Sequence, residues 1–158
     1  MHASPPTPQY KRILVPTDGS DGARHAAEAA TELAHISGGR VIALHVLPPD
    51  TTDAEYLGIT GMTATAPIDS ALVEPVPRGE DAALAAVANA ARHRGVPVDS
   101  ESVVDATPAR AIAETAEHMH CDLIVMSSHG YGSVLSILTG SSTAQVVSEC
   151  AVPVLVVH

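Results

Sequence analysis

The stretch KRILVPTDGSDGARHAAEAATELAHISGGRVIALHV, from Lys11 to Val46, decides the fold class. Its first apolar run, residues 13–15, is short and wholly hydrophobic, which is typical of a strand buried on both faces. Alanines then recur at helical spacing over residues 21–37, until two glycines stop the helix. A second strand is predicted over residues 41–46. The order strand, loop, helix, strand predicts one βαβ unit.

The rest of the chain repeats this alternation. Helices are predicted over residues 80–93, 107–120 and 141–150, and strands within residues 96–104, 123–126 and 154–157. Thr107 followed by Pro108 is a good helix start, with the threonine as N-cap. Strands that alternate with helices predict an α/β fold, a single open, doubly wound, five-stranded parallel sheet of Rossmann-like type with helices on both faces.

The domain organisation follows from composition. Residues 1–9 are interpreted as a disordered N-terminal arm and residues 10–158 as one domain, since 158 residues suit a single core. Within it, residues 48–79 carry five prolines and many threonines. This segment is predicted to be a long excursion, partly ordered at best, that could act as a lid.

Charge and cysteine content exclude several classes of function. Eight Lys and Arg against eighteen Asp and Glu give a formal charge of −10, so a nucleic-acid groove is not expected. No apolar run approaches the roughly 18 residues of a membrane helix, and the N-terminus lacks the apolar region of a signal peptide. Cys121 and Cys150 have no zinc-ligand spacing, are expected to be unreactive packing residues, and favour a reducing cytoplasmic location.

Two loops at strand carboxyl ends are the candidate ligand site, because open α/β sheets bind ligands there. Residues 16–20 follow the first strand, and residues 127–133 follow the fourth. The second loop combines glycines with hydroxyls and leads to a helix start near Ser141, a pattern that suits a phosphate cradle. An ordinary Gly/Ser turn with a serine N-cap explains the same residues equally well.

A bound cation is expected if this loop holds phosphates. No Lys or Arg occurs between Cys121 and His158, so amides and hydroxyls alone would face the phosphate charge. Mg²⁺ would bridge the phosphates, and Asp18 is the carboxylate that would hold it, directly or through water. The alternative for Asp18 is an Asx-type cap of the following helix.

At these residues the chain resembles a universal stress protein of the nucleotide-binding kind. The family pattern Gly-x2-Gly-x9-Gly-Ser/Thr is matched by Ser127-x2-Gly130-x9-Gly140-Ser141. The segments around residues 16–20, 44–46 and 151–157 are also similar, in matching order. The resemblance implies strand order 3-2-1-4-5, ATP, ADP or AMP as ligand, and cytoplasmic homodimers joined through Val154–Val157.

The resemblance also implies the site residues. Val46 would offer its backbone to the adenine edge, Asp18 would lie by the ribose and metal, and the glycine loop would hold the phosphates. The full nucleotide-binding set is Pro16, Thr17, Asp18, Val46, Met126, Ser127, His129, Gly130, Gly140, Ser141, Ser142 and Thr143. For His129 a solvent-facing loop position is as good an interpretation, and His45 is expected to be a hydrogen-bonded core histidine.

Departures from the pattern leave more than one function open. Ser127 replaces the first glycine, Ala106 stands where glycine usually precedes the proline, and Tyr131 takes a commonly basic position. The first hypothesis is a non-catalytic nucleotide-binding stress protein, at most a slow ATPase; no Gly-Lys-Ser/Thr P-loop occurs. The second is a dimeric module without nucleotide that acts through an unidentified protein partner. An adenylating or ATP-pyrophosphatase enzyme ranks third, because its signatures are absent.

Overall fold

A computed structural model describes residues 10–49, 79–128 and 142–158. In chain order the elements of these residues are β1 (Arg12–Pro16), α1 (Asp21–Ser37), β2 (Arg40–Leu47), α2 (Gly79–His93), β3 (Val98–Val104), α3 (Pro108–His118), β4 (Leu123–Ser127), α4 (Ser142–Glu149) and β5 (Val154–Val157). The predicted arm at residues 1–9 and most of the predicted excursion at residues 48–79 lie outside the described residues. The division into domains therefore stays a prediction.

The five strands form one parallel sheet in the order β3-β2-β1-β4-β5, which confirms the predicted fold class and strand order. The central strand β1 pairs with β2 from Arg12 opposite Arg40, and with β4 from Ile13 opposite Leu123. Because β1 and β4 are neighbours, their carboxyl ends lie side by side. The two candidate loops consequently begin at the same edge of the sheet.

The core has two layers, one on each face of the sheet. Ile13 and Val15 pack with α1 and α2 on one face, while Leu14 packs with α3 and α4 on the other. All three side chains are fully buried. This confirms that the apolar run of β1 is buried on both faces, as a central parallel strand requires.

The boundaries of α1 have local causes. Ser20 is the N-cap, and its Oγ accepts a hydrogen bond from the Ala23 N–H at 3.2 Å. The helix ends at Gly38, whose φ of 61° places it in the left-handed region that glycine adopts at low cost. A Cβ on Gly39 would lie 2.6 Å from the Tyr10 carbonyl oxygen, so the chain approaches β1 too closely for any side chain.

The start of α3 lies where it was predicted, with Pro108 at the first helical position. Thr107 is the N-cap, but its side chain makes no capping hydrogen bond. Instead its N–H donates to Asp105 Oδ1 at 2.7 Å, and the Arg110 guanidinium pairs with the same carboxylate. Both interactions lower the pKa of Asp105, and the hydrogen bond from the Thr107 N–H has the larger effect. The helix also ends earlier than predicted, at His118 rather than His120.

Two further details correct the sequence-based picture. The last helix runs over Ser142–Glu149, so it ends one residue before the predicted end at Cys150. His45 was expected to be hydrogen-bonded, yet its Nδ1 is shielded from solvent and has no partner within the described residues. No helix of the described residues is long and apolar enough to cross a membrane.

Thr31 offers a test of the packing between α1 and the rest of the protein. Its side chain is 1% exposed, and its hydroxyl has no hydrogen-bond partner in the described structure. Thr31→Val replaces the hydroxyl with a methyl of similar size, and we expect it to stabilise the protein by about 1 kcal/mol. Thr31→Ser keeps the hydroxyl but deletes the methyl, and should cost about 1 kcal/mol. Urea unfolding measures both, and a destabilised valine variant would contradict the expectation.

Candidate functional site

A cavity of about 280 Å³ opens at the carboxyl ends of β1, β2 and β4. This volume is close to the lower end of the roughly 300–1,000 Å³ typical of small-molecule sites. The described lining residues are Pro16, Thr17, Asp18, Ser20, Ala23, Leu44, Val46, Pro108, Ile112, Met126, Ser127, Ser128, Ser142 and Thr143. The cavity therefore lies at the edge of the sheet where both candidate loops begin.

Most of the predicted site residues meet in this cavity. Those that line it are Pro16, Thr17, Asp18, Val46, Met126, Ser127, Ser142 and Thr143. The other predicted residues, His129, Gly130, Gly140 and Ser141, lie outside the described residues, as does the departure at Tyr131. The role of each residue in holding a nucleotide consequently stays a prediction.

On the β1 side, the loop is fixed by short-range hydrogen bonds. The Thr17 N–H donates to the Leu44 carbonyl at 2.8 Å, which continues the pairing of β1 with β2 past the strand end. The Ser20 N–H donates to Asp18 Oδ1 at 2.9 Å. Asp18 thus forms an Asx turn before the helix and lines the cavity at the same time, so both interpretations of this residue are compatible.

Gly19 allows this turn. Its φ of 79° lies in the left-handed region, and a Cβ there would already contact the Ala83 side chain of α2 at 3.5 Å. The turn leaves Thr17 and Asp18 at the cavity wall and places Ser20 where it caps α1. The sequence Thr-Asp-Gly-Ser therefore builds one wall of the site and starts a helix.

On the β4 side, a hydrogen bond joins the strand end to the start of α4. Thr143 Oγ1 donates to the Ser127 carbonyl oxygen at 2.9 Å. Met126 is almost fully buried beneath the cavity, whereas Ser127 is half-buried and lines it. The first turn of α4 is therefore held directly above the end of β4.

Ser20 and Ser128, which lie in the two predicted loops, also line the cavity, and the residues that the sequence analysis missed are Ala23, Leu44, Pro108 and Ile112. Pro108 and Ile112 come from α3 and form the wall opposite the sheet. Their spacing of four positions puts them on one face of a helix, and this was the available signal. This spacing could not identify Pro108 and Ile112 as site residues, because the sequence does not show that α3 crosses over the ends of β1 and β2.

Both a side chain and helix starts contribute to the electrostatics of the cavity. Among the described lining residues, Asp18 is the only ionisable one. Three helices begin at the cavity rim, because Ser20 caps α1, Pro108 opens α3 and Ser142 opens α4. Each helix start carries partial positive charge, so the three together favour an anionic group.

A metal site made of protein ligands alone does not occur in the described part of the chain. No group of three or more His, Cys, Asp or Glu side chains there could hold an ion. A cation at the cavity would have to take most of its ligands from a bound anion and water. Mg²⁺ is commonly bound in this way, with one or two carboxylates and substrate phosphates.

Comparisons with known proteins agree with this architecture. A universal stress protein of Thermus aquaticus is 34% identical over 149 residues, which is 94% of this chain and 99% of that protein. The solved structure of protein MJ0577 of Methanocaldococcus jannaschii has a TM-score of 0.67 at 29% identity, covering 95% of this chain and 96% of that one. A universal stress protein solved in complex with cAMP has a TM-score of 0.70 at 24% identity, covering 96% and 98%, and this likeness shows the fold.

The match extends over almost the whole chain. The model of the universal stress protein family covers residues 9–158, which include every strand and helix described above. The Thermus relative is likewise matched over nearly its full length. The chain therefore belongs to the universal stress protein family.

Proposed function

We propose that this protein binds an adenine nucleotide, ATP, ADP or AMP, in the cavity at the ends of β1 and β4. The observation that carries the proposal is the convergence of Pro16, Asp18, Val46 and Ser127, predicted from separate parts of the sequence, on one cavity. The protein would act in the stress response as a binder, with little or no catalysis. A cytoplasmic location is part of the proposal. The two free cysteines of the protein favour this location, because the cytosol keeps thiols reduced.

The lining has the two kinds of surface that a nucleotide needs. Leu44, Val46, Ile112 and Met126 are apolar and suit a base held between the sheet and α3. Hydroxyls and helix starts, above all at Ser142, suit the phosphates. The protein of the same fold that was solved with cAMP is an example of an adenine nucleotide bound to this architecture.

Mg²⁺ fits the proposed site as a bridge between protein and phosphates. Asp18 supplies one carboxylate, whose Oδ1 is already oriented by the Ser20 N–H. When bound, the ion would neutralise phosphate charge that no described lining side chain can neutralise. Binding of ATP should therefore depend more strongly on Mg²⁺ than binding of AMP, which carries less charge.

Ligand-dependent stability tests the proposal directly. At a free nucleotide concentration ten times its dissociation constant, the free energy of unfolding should rise by about 1.4 kcal/mol. Urea unfolding of the full chain with AMP, ADP or ATP, each with and without Mg²⁺, measures this. GTP at the same concentration is the control for the base. No stabilisation by any adenine nucleotide would contradict the proposal.

The alternative is an interaction module that has lost its nucleotide. Ser127 favours it, because a residue that carries a side chain lines the cavity at a position where the resemblance expects glycine. Ser127→Gly distinguishes the two functions. If the serine obstructs the site, the glycine variant gains nucleotide-dependent stabilisation that the natural chain lacks; if the natural chain binds, both variants show it.

We further propose a homodimer through the edge strand β5. Leu155 is 39% exposed there, which is high for a large apolar side chain in a strand. The Ile124 N–H donates to the Pro153 carbonyl and the Ser128 N–H to the Val157 carbonyl. Since alternate residues of a strand face the same neighbour, the backbone groups of Val154 and Val156 point away from β4. A second copy of β5 can pair with them and cover the edge.

A proline at the outward-facing position tests this dimer. Val156→Pro removes an N–H that points away from β4, so the sheet within one chain keeps its hydrogen bonds. We expect this variant to be monomeric, while Val156→Thr, which keeps the N–H, stays dimeric. Light scattering after size-exclusion chromatography measures the mass. A dimeric proline variant would place the interface elsewhere.

A further inference from the structure

The two cysteines precede neighbouring strands, although they are far apart in sequence. Cys121 comes just before β4, and Cys150 just before β5. The strands pair with Ile124 opposite Val154, and the Ile124 N–H donates to the Pro153 carbonyl at 2.9 Å. Neighbouring strands run about 4.8 Å apart, and a disulfide needs Cα atoms within about 7 Å. Cys121 lies three residues before Ile124 and Cys150 four residues before Val154, and Cys150 is near enough to raise the pKa of Cys121, so the two cysteines are neighbours.

Both thiols also enter the same core layer. Cys121 is 8% exposed and packs in the cluster that contains Ala116, Ile124 and Val146, and Cys150 is half-buried against that cluster. The Cys121 N–H donates to the Ala116 carbonyl, and the Cys150 N–H to the Val146 carbonyl. These bonds fix both cysteines at the ends of α3 and α4, which pack on the same face of the sheet.

The surroundings give the two thiols different reactivity. Burial raises the pKa of Cys121 to about 11, with the neighbouring Arg12 lowering it and Asp122 and Cys150 raising it further. Cys121 is consequently protonated at neutral pH and shielded from solvent. Cys150 is the less buried of the two cysteines, so an oxidant in solution meets it first.

We propose that Cys121 and Cys150 form a peroxide-responsive pair that closes into an intramolecular disulfide. In the first step the Cys150 sulfur attacks hydrogen peroxide, the O–O bond breaks, and Cys150 sulfenic acid and water form. In the second step the Cys121 sulfur attacks the sulfenic sulfur, and the Cys121 proton leaves with the hydroxyl as water. Two thiols are oxidised to one disulfide, and one peroxide is reduced to two waters.

This disulfide would close a covalent loop from Cys121 to Cys150, which contains β4 and α4. The cysteines lie at the amino ends of the strands, whereas the cavity lies at the carboxyl ends, roughly 15 Å away along β4. The disulfide should therefore stabilise the fold by restricting the unfolded chain and leave the cavity open. Disulfides of cytosolic proteins are usually transient and redox-sensing, which fits a reversible device.

Peptide mapping of the full-length protein tests the proposal. Reduced protein is treated with hydrogen peroxide, remaining thiols are alkylated, and the chain is cleaved after glutamate. Trypsin is unsuitable because no Lys or Arg follows Arg110, whereas Glu117 and Glu149 place the two cysteines on separate fragments. We expect a cross-linked pair of fragments 118–149 and 150–158 that separates on reduction. Cys150→Ser and Cys121→Ala are the controls, and neither should give the pair.

Thermal unfolding gives a second readout that does not depend on nucleotide. Oxidised natural protein should unfold several degrees higher than the reduced form, and dithiothreitol should reverse the shift. The Cys150→Ser variant should show no shift with peroxide. Overoxidation of Cys150 without the cross-linked pair, or disulfides only between chains, would overturn the proposal.

Discussion

Val46→Trp should weaken nucleotide binding by at least about 100-fold, equivalent to about 2.7 kcal/mol of binding free energy. Val46 is half-buried and lines the cavity from β2, on the face covered by α3. The indole would occupy the space proposed for the base, so the ligand would lose its apolar contacts with the sheet. Isothermal titration calorimetry with AMP and Mg-ATP measures the loss.

Val103→Trp is the matched control for this variant. Val103 is directly opposite Val46 in the pairing of β2 with β3, and it packs against the same core layer. Val103 is not among the residues that line the cavity. It lines a separate groove, together with Glu101 and Met119. Nucleotide affinity should therefore be unchanged. An equal loss of affinity in both variants would show that tryptophan acts by disturbing the sheet and not by filling the cavity. Unchanged affinity of Val46→Trp would show that the base binds elsewhere.

Leu14→Ala should destabilise the protein by about 2–5 kcal/mol. Leu14 is fully buried on the central strand, in the layer beneath the cavity. The substitution removes apolar contacts and leaves a hole that neighbouring strands on both sides keep from collapsing. A loss of this size is a large part of the roughly 5–15 kcal/mol that holds a typical domain folded.

Leu84→Ala makes the same chemical change on α2, where the side chain is only partly buried. It should cost about 1 kcal/mol, because less apolar surface leaves water on folding and solvent can fill the space. Urea unfolding of both variants measures the difference. Similar costs for the two would show that β1 is not the centre of the core.

The fold was predictable because its signals are local. An apolar run that is short and uninterrupted, as around Leu14, is typical of a strand that is buried on both faces. Ser20 and the Gly38–Gly39 pair bound α1 by capping and by close approach of the chain to Tyr10. The parallel order of the sheet then follows from alternation and from right-handed crossovers.

Only the part of the candidate site that lies at the carboxyl ends of the strands was predictable from the sequence. Asp18 comes shortly after β1 and Ser127 is the last residue of β4, so the pairing of these two strands brings them together. Ile112 was missed because its position depends on how α3 crosses the sheet, which no local pattern states. The N-cap of α3 at Thr107 was predicted correctly, but the sequence does not show that its hydroxyl makes no capping hydrogen bond or that its N–H donates to the nearby Asp105 carboxylate.

The three helix starts around the cavity have a kinetic consequence. Attraction from a helix start falls off within about one turn, so it acts only on a ligand that has already arrived. At longer range an anion meets the field of a chain with a formal charge of −10. Salt screens the long-range repulsion between the nucleotide and the negatively charged protein, but it weakens the short-range attraction by the helix starts much less. Nucleotide association should consequently become faster as ionic strength rises, the reverse of what proteins with a basic entrance show.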